Sequence, residues 1–188
     1  MTMILLISGS LRQGSTNTAL LRTLRQIAPG SITAVLYDGL GGLPHFDPDL
    51  DHEPLPPPVD QLRAAIRRAG AILFCTPEYA GALPGSFKNL LDWTIGDEHP
   101  GSIYRKPVAW INVSASSTGA ADAHESLGKV LGYAHADLIA AACVRVPVSR
   151  PAIDGDGLIS DPAIRGDALN ALSLLSTAAA QRDRGQQA

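Results

Sequence analysis

Residues Met3–Ile27 read MILLISGSLRQGSTNTALLRTLRQI. Ile4–Ile7 is a short unbroken apolar run, the pattern of a strand covered on both faces. The run ends at Ser8, Gly9 and Ser10. From Thr18 to Ile27 the residues Leu20, Leu21, Leu24 and Ile27 recur at helical spacing. A buried strand, a turn rich in glycine and hydroxyl groups, and an amphipathic helix are the opening unit of an α/β protein.

Outward from this unit the same alternation continues. Ile32–Tyr37 alternates like a strand. Asp38 to Pro58 is a loop too rich in Gly, Pro and Asp for regular structure. Val59–Ala69 is helical, with Leu62, Ala65, Ile66 and Ala69 on one face, and Ala71–Cys75 is a second buried strand. A short helix covers Ser86–Trp93, a strand Val108–Val113 and a helix Ala120–Ala134. A fifth strand falls within Leu138–Val148, and a last helix runs over Pro162–Ala180. Gln181–Ala188 reads as a frayed, solvated tail. The expectation is one domain over residues 1–188, an α/β doubly wound five-stranded parallel sheet of order 2-1-3-4-5. Such sheets bind ligands beyond the carboxyl ends of their strands, at the switch between the first and third.

Composition narrows the function. Apolar residues make up 45% of the 188, charged residues 18%, and the net charge is -3. That balance fits a soluble globular protein and lacks the basic excess of nucleic-acid binders. The apolar start of the chain is too short for a membrane span and lacks a signal peptide's basic flank. Cys75 and Cys143 both lie in apolar runs, which fits a reducing compartment, so the expected location is the cytoplasm.

The informative loops should follow strands one, three and four. The first carries Ser10, Arg12, Ser15, Thr16 and Asn17 into a helix. A helix N-terminus offers unpaired N–H groups and partial positive charge to an anion. Gly9 and Gly14 have the spacing of a nucleoside-triphosphate loop, but Ser15 and Thr16 follow where that loop has its lysine. The dinucleotide pattern G-x-G-x-x-G is absent, so a terminal monophosphate suits the loop best. The alternative is an ordinary strand–helix turn with a Ser or Thr cap. The second loop, from Thr76, holds Pro77, Glu78, Tyr79, Ala80 and Gly81. Its prolines stiffen it and its glycines allow close backbone approach, as the wall beside a flat ring would need. It reads equally as a rigid cap on the next helix. The third, Ser114, Ala115, Ser116, Ser117, Thr118 and Gly119, supplies further donors, though Ser/Gly loops are common.

Two motifs together, GSLRQGSTN at Gly9–Asn17 and PEYAGALPGSFKNLLDW at Pro77–Trp93, resemble the NADPH-dependent FMN reductase family. The resemblance spans the first strand to the fifth. It implies a flavodoxin-like fold, bound FMN, NADPH or NADH as co-substrate, a quinone or similar small acceptor, and a homodimer or homotetramer. It places the FMN phosphate at Ser10, Arg12, Ser15, Thr16 and Asn17. It sets the isoalloxazine ring against Pro77, Glu78, Tyr79, Ala80 and Gly81, with Ser114, Ser116, Ser117, Thr118 and Gly119 closing the other side. Three departures stand out. Ala80 occupies a position where the family usually has Asn, Ala120 and Ala121 follow Gly119 in place of paired glycines, and Gly96–Tyr104 is longer than usual. A flavodoxin-like electron carrier is the competing reading, but such carriers are strongly acidic and keep flanking aromatics, and only Tyr79 serves here.

Other chemistry finds less support. None of the five histidines has metal-ligand spacing with a second His or Cys. There is no G-x-S-x-G elbow. Cys75 reads as inert core, His124 and Glu125 as a solvated helix face, and the acidic Asp47–Glu53 as solvated. Trp93 and Trp110 read as core or interface. Because a flavin would carry the chemistry, no side chain is assigned as catalytic acid or base.

Overall fold

The structure is a computed structural model that describes residues 1–186. Strands β1 (Thr2–Ser8), β2 (Ile32–Tyr37), β3 (Ala71–Cys75), β4 (Pro107–Asn112), β5 (Asp137–Leu138) and β6 (Val144–Arg145) form one sheet. All pairings between strands are parallel, in the order β2-β1-β3-β4-β5, with β6 also on β4. This is the flavodoxin-like order expected from the sequence.

Five helices cover the sheet: α1 (Thr16–Ile27), α2 (Pro57–Arg68), α3 (Gly85–Ile95), α4 (Ala121–Tyr133) and α5 (Pro162–Gln186). Strand side chains alternate between two cores. Ile4, Leu6, Leu73 and Ile111 pack under α1 and α5 with Leu20, Leu24, Leu172 and Leu175. Leu5, Ile7, Ile72 and Phe74 pack under α2, α3 and α4 with Leu62, Phe87, Trp93 and Leu127. Trp93 is wholly buried, and its indole N–H donates to the Pro44 carbonyl at 2.9 Å. Burial without a lost polar partner makes it a core anchor, as expected.

Four expectations need correction. The Asp38–Pro58 stretch contains two 3-10 turns, Gly39–Gly42 and Pro48–Leu50, and α2 begins inside it at Pro57. Proline suits that helical start because its missing N–H is not needed there. The acidic stretch is not wholly solvated either. Asp51 meets the buried Arg63 guanidinium at 2.7 Å, and Arg63 also donates to the Trp93 carbonyl at 2.9 Å. The fifth strand is broken: a 3-10 turn at Ala140–Ala142 divides β5 from β6. The supposed tail is helical through Gln186, while residues 187 and 188 lie outside the described residues. The opposite border of the sheet is unbroken. There β2 pairs, among the described residues, with β1 alone, and Val35 is 38% exposed.

Candidate functional site

Three loops stand together at the carboxyl ends of β1, β3 and β4. The first two are knit at their bases. Gly9 N–H donates to the Cys75 carbonyl at 2.9 Å, and a Cβ on Gly9 would fall 2.3 Å from the Thr76 hydroxyl oxygen. Only glycine lets these chains approach so closely.

The first loop turns into α1 without the ordinary cap. Ser15 occupies the cap position and is buried, yet its hydroxyl makes no cap hydrogen bond. The N–H groups of Thr16, Asn17 and Thr18 therefore have no protein acceptor among the described residues. Asn17 is buried and accepts the Cys75 thiol at 3.3 Å through its carbonyl oxygen, which leaves its amide NH2 without a protein acceptor among the described residues. Arg12 is exposed and forms no ion pair among the described residues. The Ser10 hydroxyl accepts the Arg12 N–H at 3.3 Å and shapes the turn. Thr18, beyond the expected set, is tied to Ser8 at 2.8 Å. Cys75 is fully buried and burial pushes its thiol up, so it is inert as expected.

The second loop is a tight hairpin. Tyr79 and Ala82 exchange two backbone hydrogen bonds of 3.1 Å. Between them Ala80 and Gly81 have φ of 51° and 70°. Two consecutive left-handed residues define a type I′ turn, whose preferred sequence is Asn-Gly. Tyr79 is 54% exposed at the rim. Glu78 turns aside: its carboxylate accepts the Ala123 N–H at 3.0 Å and so caps the first turn of α4.

The third loop is held from two directions. Asn112, buried at the end of β4, accepts the Ser114 N–H at 2.9 Å and donates to the Gly119 carbonyl. Arg145, at the end of β6, donates to the Ser116 carbonyl at 2.9 Å and more loosely to Ser114 at 3.3 and 3.4 Å. Inside the loop Ser116 bonds to the hydroxyls of Ser114 at 2.8 Å and Thr118 at 3.2 Å, while Gly119 takes a φ of 64°. The Ser117 hydroxyl is exposed and without a protein partner among the described residues. His124 corrects the solvated-face reading. It is buried, its Nδ1 lies 2.7 Å from the Ala120 carbonyl, and its Nε2 has no partner among the described residues. Burial holds it below the ordinary histidine range, against the Ala120 hydrogen bond and the Glu78 charge that pull it upward. Glu125 is exposed beside Lys129, as expected of that face.

The sequence profile of the NADPH-dependent FMN reductase family matches residues 2–148, which include all three loops. The chain belongs to the NADPH-dependent FMN reductase family. Within it, an NAD(P)H-dependent FMN reductase of Pseudomonas aeruginosa is 34% identical over 163 residues, 86% of each chain. A probable NADPH:quinone oxidoreductase of Oryza sativa subsp. japonica is 32% identical, over 85% of this chain and 79% of the relative. Among solved structures, the flavoenzyme FerB of Paracoccus denitrificans, an NAD(P)H:acceptor oxidoreductase, superposes with a TM-score of 0.80 at 28% identity. The match covers 94% of this chain and 98% of FerB.

The residues present fit the family's cofactor. A phosphate needs converging donors, and α1 offers uncommitted N–H groups, the Asn17 amide and the free Arg12 charge. Asn112 and Arg145 escaped the sequence reading. Asn112 left a signal, a polar residue at the carboxyl end of an apolar strand. Arg145 left none, because its reach across to the third loop depends on the broken fifth strand. Cavity size is no guide here. A recess of about 880 Å³ opens at the amino ends of the strands between Met1, Arg67, Lys106 and His135.

Proposed function

We propose that this FMN reductase family member binds FMN across its three loops, accepts reducing equivalents from NADPH or NADH, and passes them to a quinone or similar small acceptor. The observation that carries the reading is the uncapped start of α1, where buried Ser15 leaves the helix donors to a ligand. When bound, FMN supplies both the hydride acceptor and the electron donor. The chain's own work is to hold it. Thr16, Asn17 and Arg12 take the phosphate, with Ser10 and Ser15 around it. The hairpin from Pro77 to Gly81 forms one wall beside the ring. Ser114, Ser116, Ser117, Thr118 and Gly119 form the other. We assign all of this to one domain, working in the cytoplasm as a homodimer or homotetramer, the assembly that the family resemblance implies.

Two measurements test the reading. The purified protein should be yellow, or bind added FMN with micromolar or tighter affinity in a fluorescence titration. It should then oxidise NADPH or NADH faster when a quinone is supplied. Failure to bind FMN removes the central claim. FMN binding without dinucleotide oxidation favours an electron carrier instead.

A further inference from the structure

We propose that Arg145 is a positioning residue that aims the backbone donors of the third loop and lends an uncompensated positive charge to the ring side of the cofactor site. The proposal rests on the FMN reading above. A trans peptide unit holds its C=O and the following N–H in opposite directions. The described chain has its cis bond at Glu53–Pro54, so the units after Ser114 and Ser116 are trans. Arg145 draws both of those carbonyls toward its guanidinium. The N–H groups of Ala115 and Ser117 are thereby turned away from it, on the same side of the loop. Neither has a protein acceptor among the described residues. Two such amides, flanking the committed Ser116 N–H, are open to an acceptor edge or developing negative charge.

The fit is close. Gly119 lies against the guanidinium, and a Cβ there would stand 2.9 Å from the Arg145 Cζ. Asn112 fastens the two ends of the loop, but it reaches neither the Ser114 nor the Ser116 carbonyl. Within the loop the Ser116 carbonyl also accepts the Gly119 N–H at 3.1 Å, but Arg145 is the one side chain from outside the loop, among the described residues, that reaches the Ser114 and Ser116 carbonyls. No carboxylate pairs with Arg145 among the described residues, so its charge is not cancelled locally. A positive charge near the ring favours the reduced cofactor, which carries more negative charge, over the oxidised one. Lysine would keep the charge but lacks the planar fork that serves two carbonyls.

The test compares wild type with Arg145→Gln and Arg145→Lys. Apoprotein is titrated with FMN and with riboflavin, and the midpoint potential of each holoprotein is measured against a reference dye. Arg145→Gln should bind both ligands about tenfold more weakly, by the same factor, because the loop serves the ring and not the phosphate. A tenfold loss of preference for the reduced cofactor lowers a two-electron potential by about 30 mV. Arg145→Lys should also bind weakly but keep the wild-type potential. Arg145 is exposed, so folding should survive, and circular dichroism and melting curves check it. A folded Arg145→Gln with wild-type affinity and potential overturns the proposal. So does a loss confined to FMN, which would make Arg145 a phosphate ligand. Wild type that binds no flavin would remove the FMN reading itself, and this inference with it.

Discussion

Ala80 carries strain that its neighbours do not relieve. A side chain in the left-handed region costs roughly 1–2 kcal/mol, except for glycine and, in part, asparagine. The exchange of hydrogen bonds between Tyr79 and Ala82 forces Ala80 there. The asparagine that the family resemblance leads one to expect there would suit the backbone of this turn, a point invisible without the φ angle. Ala80→Asn should raise the melting temperature by roughly 2–4 °C, the shift that about 1 kcal/mol produces in a chain of this size. An unchanged or lower melting temperature would show that the turn relaxes in solution. Arg12 belongs to the same scale. It is the one full positive charge in the first loop, and no acidic partner among the described residues competes for it. A charge-assisted hydrogen bond is worth roughly 1.5–3 kcal/mol. Arg12→Ala should therefore weaken FMN by roughly tenfold to a hundredfold while leaving riboflavin, which lacks a phosphate, nearly untouched. Equal losses for both would place Arg12 away from the phosphate.

Elements were legible where local pattern decided them. The ranges of β2 and β3 agree with their apolar runs, and α1 and α2 follow their helical periodicity to within about two residues at each end. The break between β5 and β6 was not legible, because Leu138–Val148 is apolar but for Arg145 and the 3-10 turn at Ala140–Ala142 answers to packing under α5. The loops were readable as a place but not as a mechanism. Ser15 stood out by type and Glu78 through the family resemblance, whereas the absence of a cap at Ser15 and the reach of Glu78 to α4 are tertiary facts. That reach has a consequence for α4, whose first turn also buries His124. Burial depresses the folded-state value of His124 below the ordinary 6.5, so the unfolded chain binds its proton more readily. The contribution is present above about pH 6.5 and is lost as pH falls through the lower folded value. Melting temperatures of wild type should therefore drop on acidification more steeply than those of His124→Gln. Parallel curves for the two proteins would mean that His124 titrates the same folded and unfolded.

At the scale of the molecule, all the candidate loops rise from one end of one sheet, while the large recess sits at the other. The profile match holds no G-x-G-x-x-G segment to give a dinucleotide its own bed. Hydride transfer requires reacting atoms about 3–3.5 Å apart, so a single open face predicts that donor and acceptor take turns on it. Steady-state rates should give parallel double-reciprocal lines, with quinone and reduced dinucleotide competing at high concentration. Intersecting lines and a trapped ternary complex would instead show room for both. The two borders of the sheet differ in another respect. On the β5 and β6 side the interruption leaves no continuous row of backbone donors and acceptors for another chain to copy. On the other side β2 offers six residues without a lysine, a proline or a bulge, and Val35 faces outward. Unblocked strands of this kind template intermolecular sheets. Heat-stressed protein should therefore aggregate by strand addition at β2, and Val35→Lys should slow that growth without touching the cofactor loops.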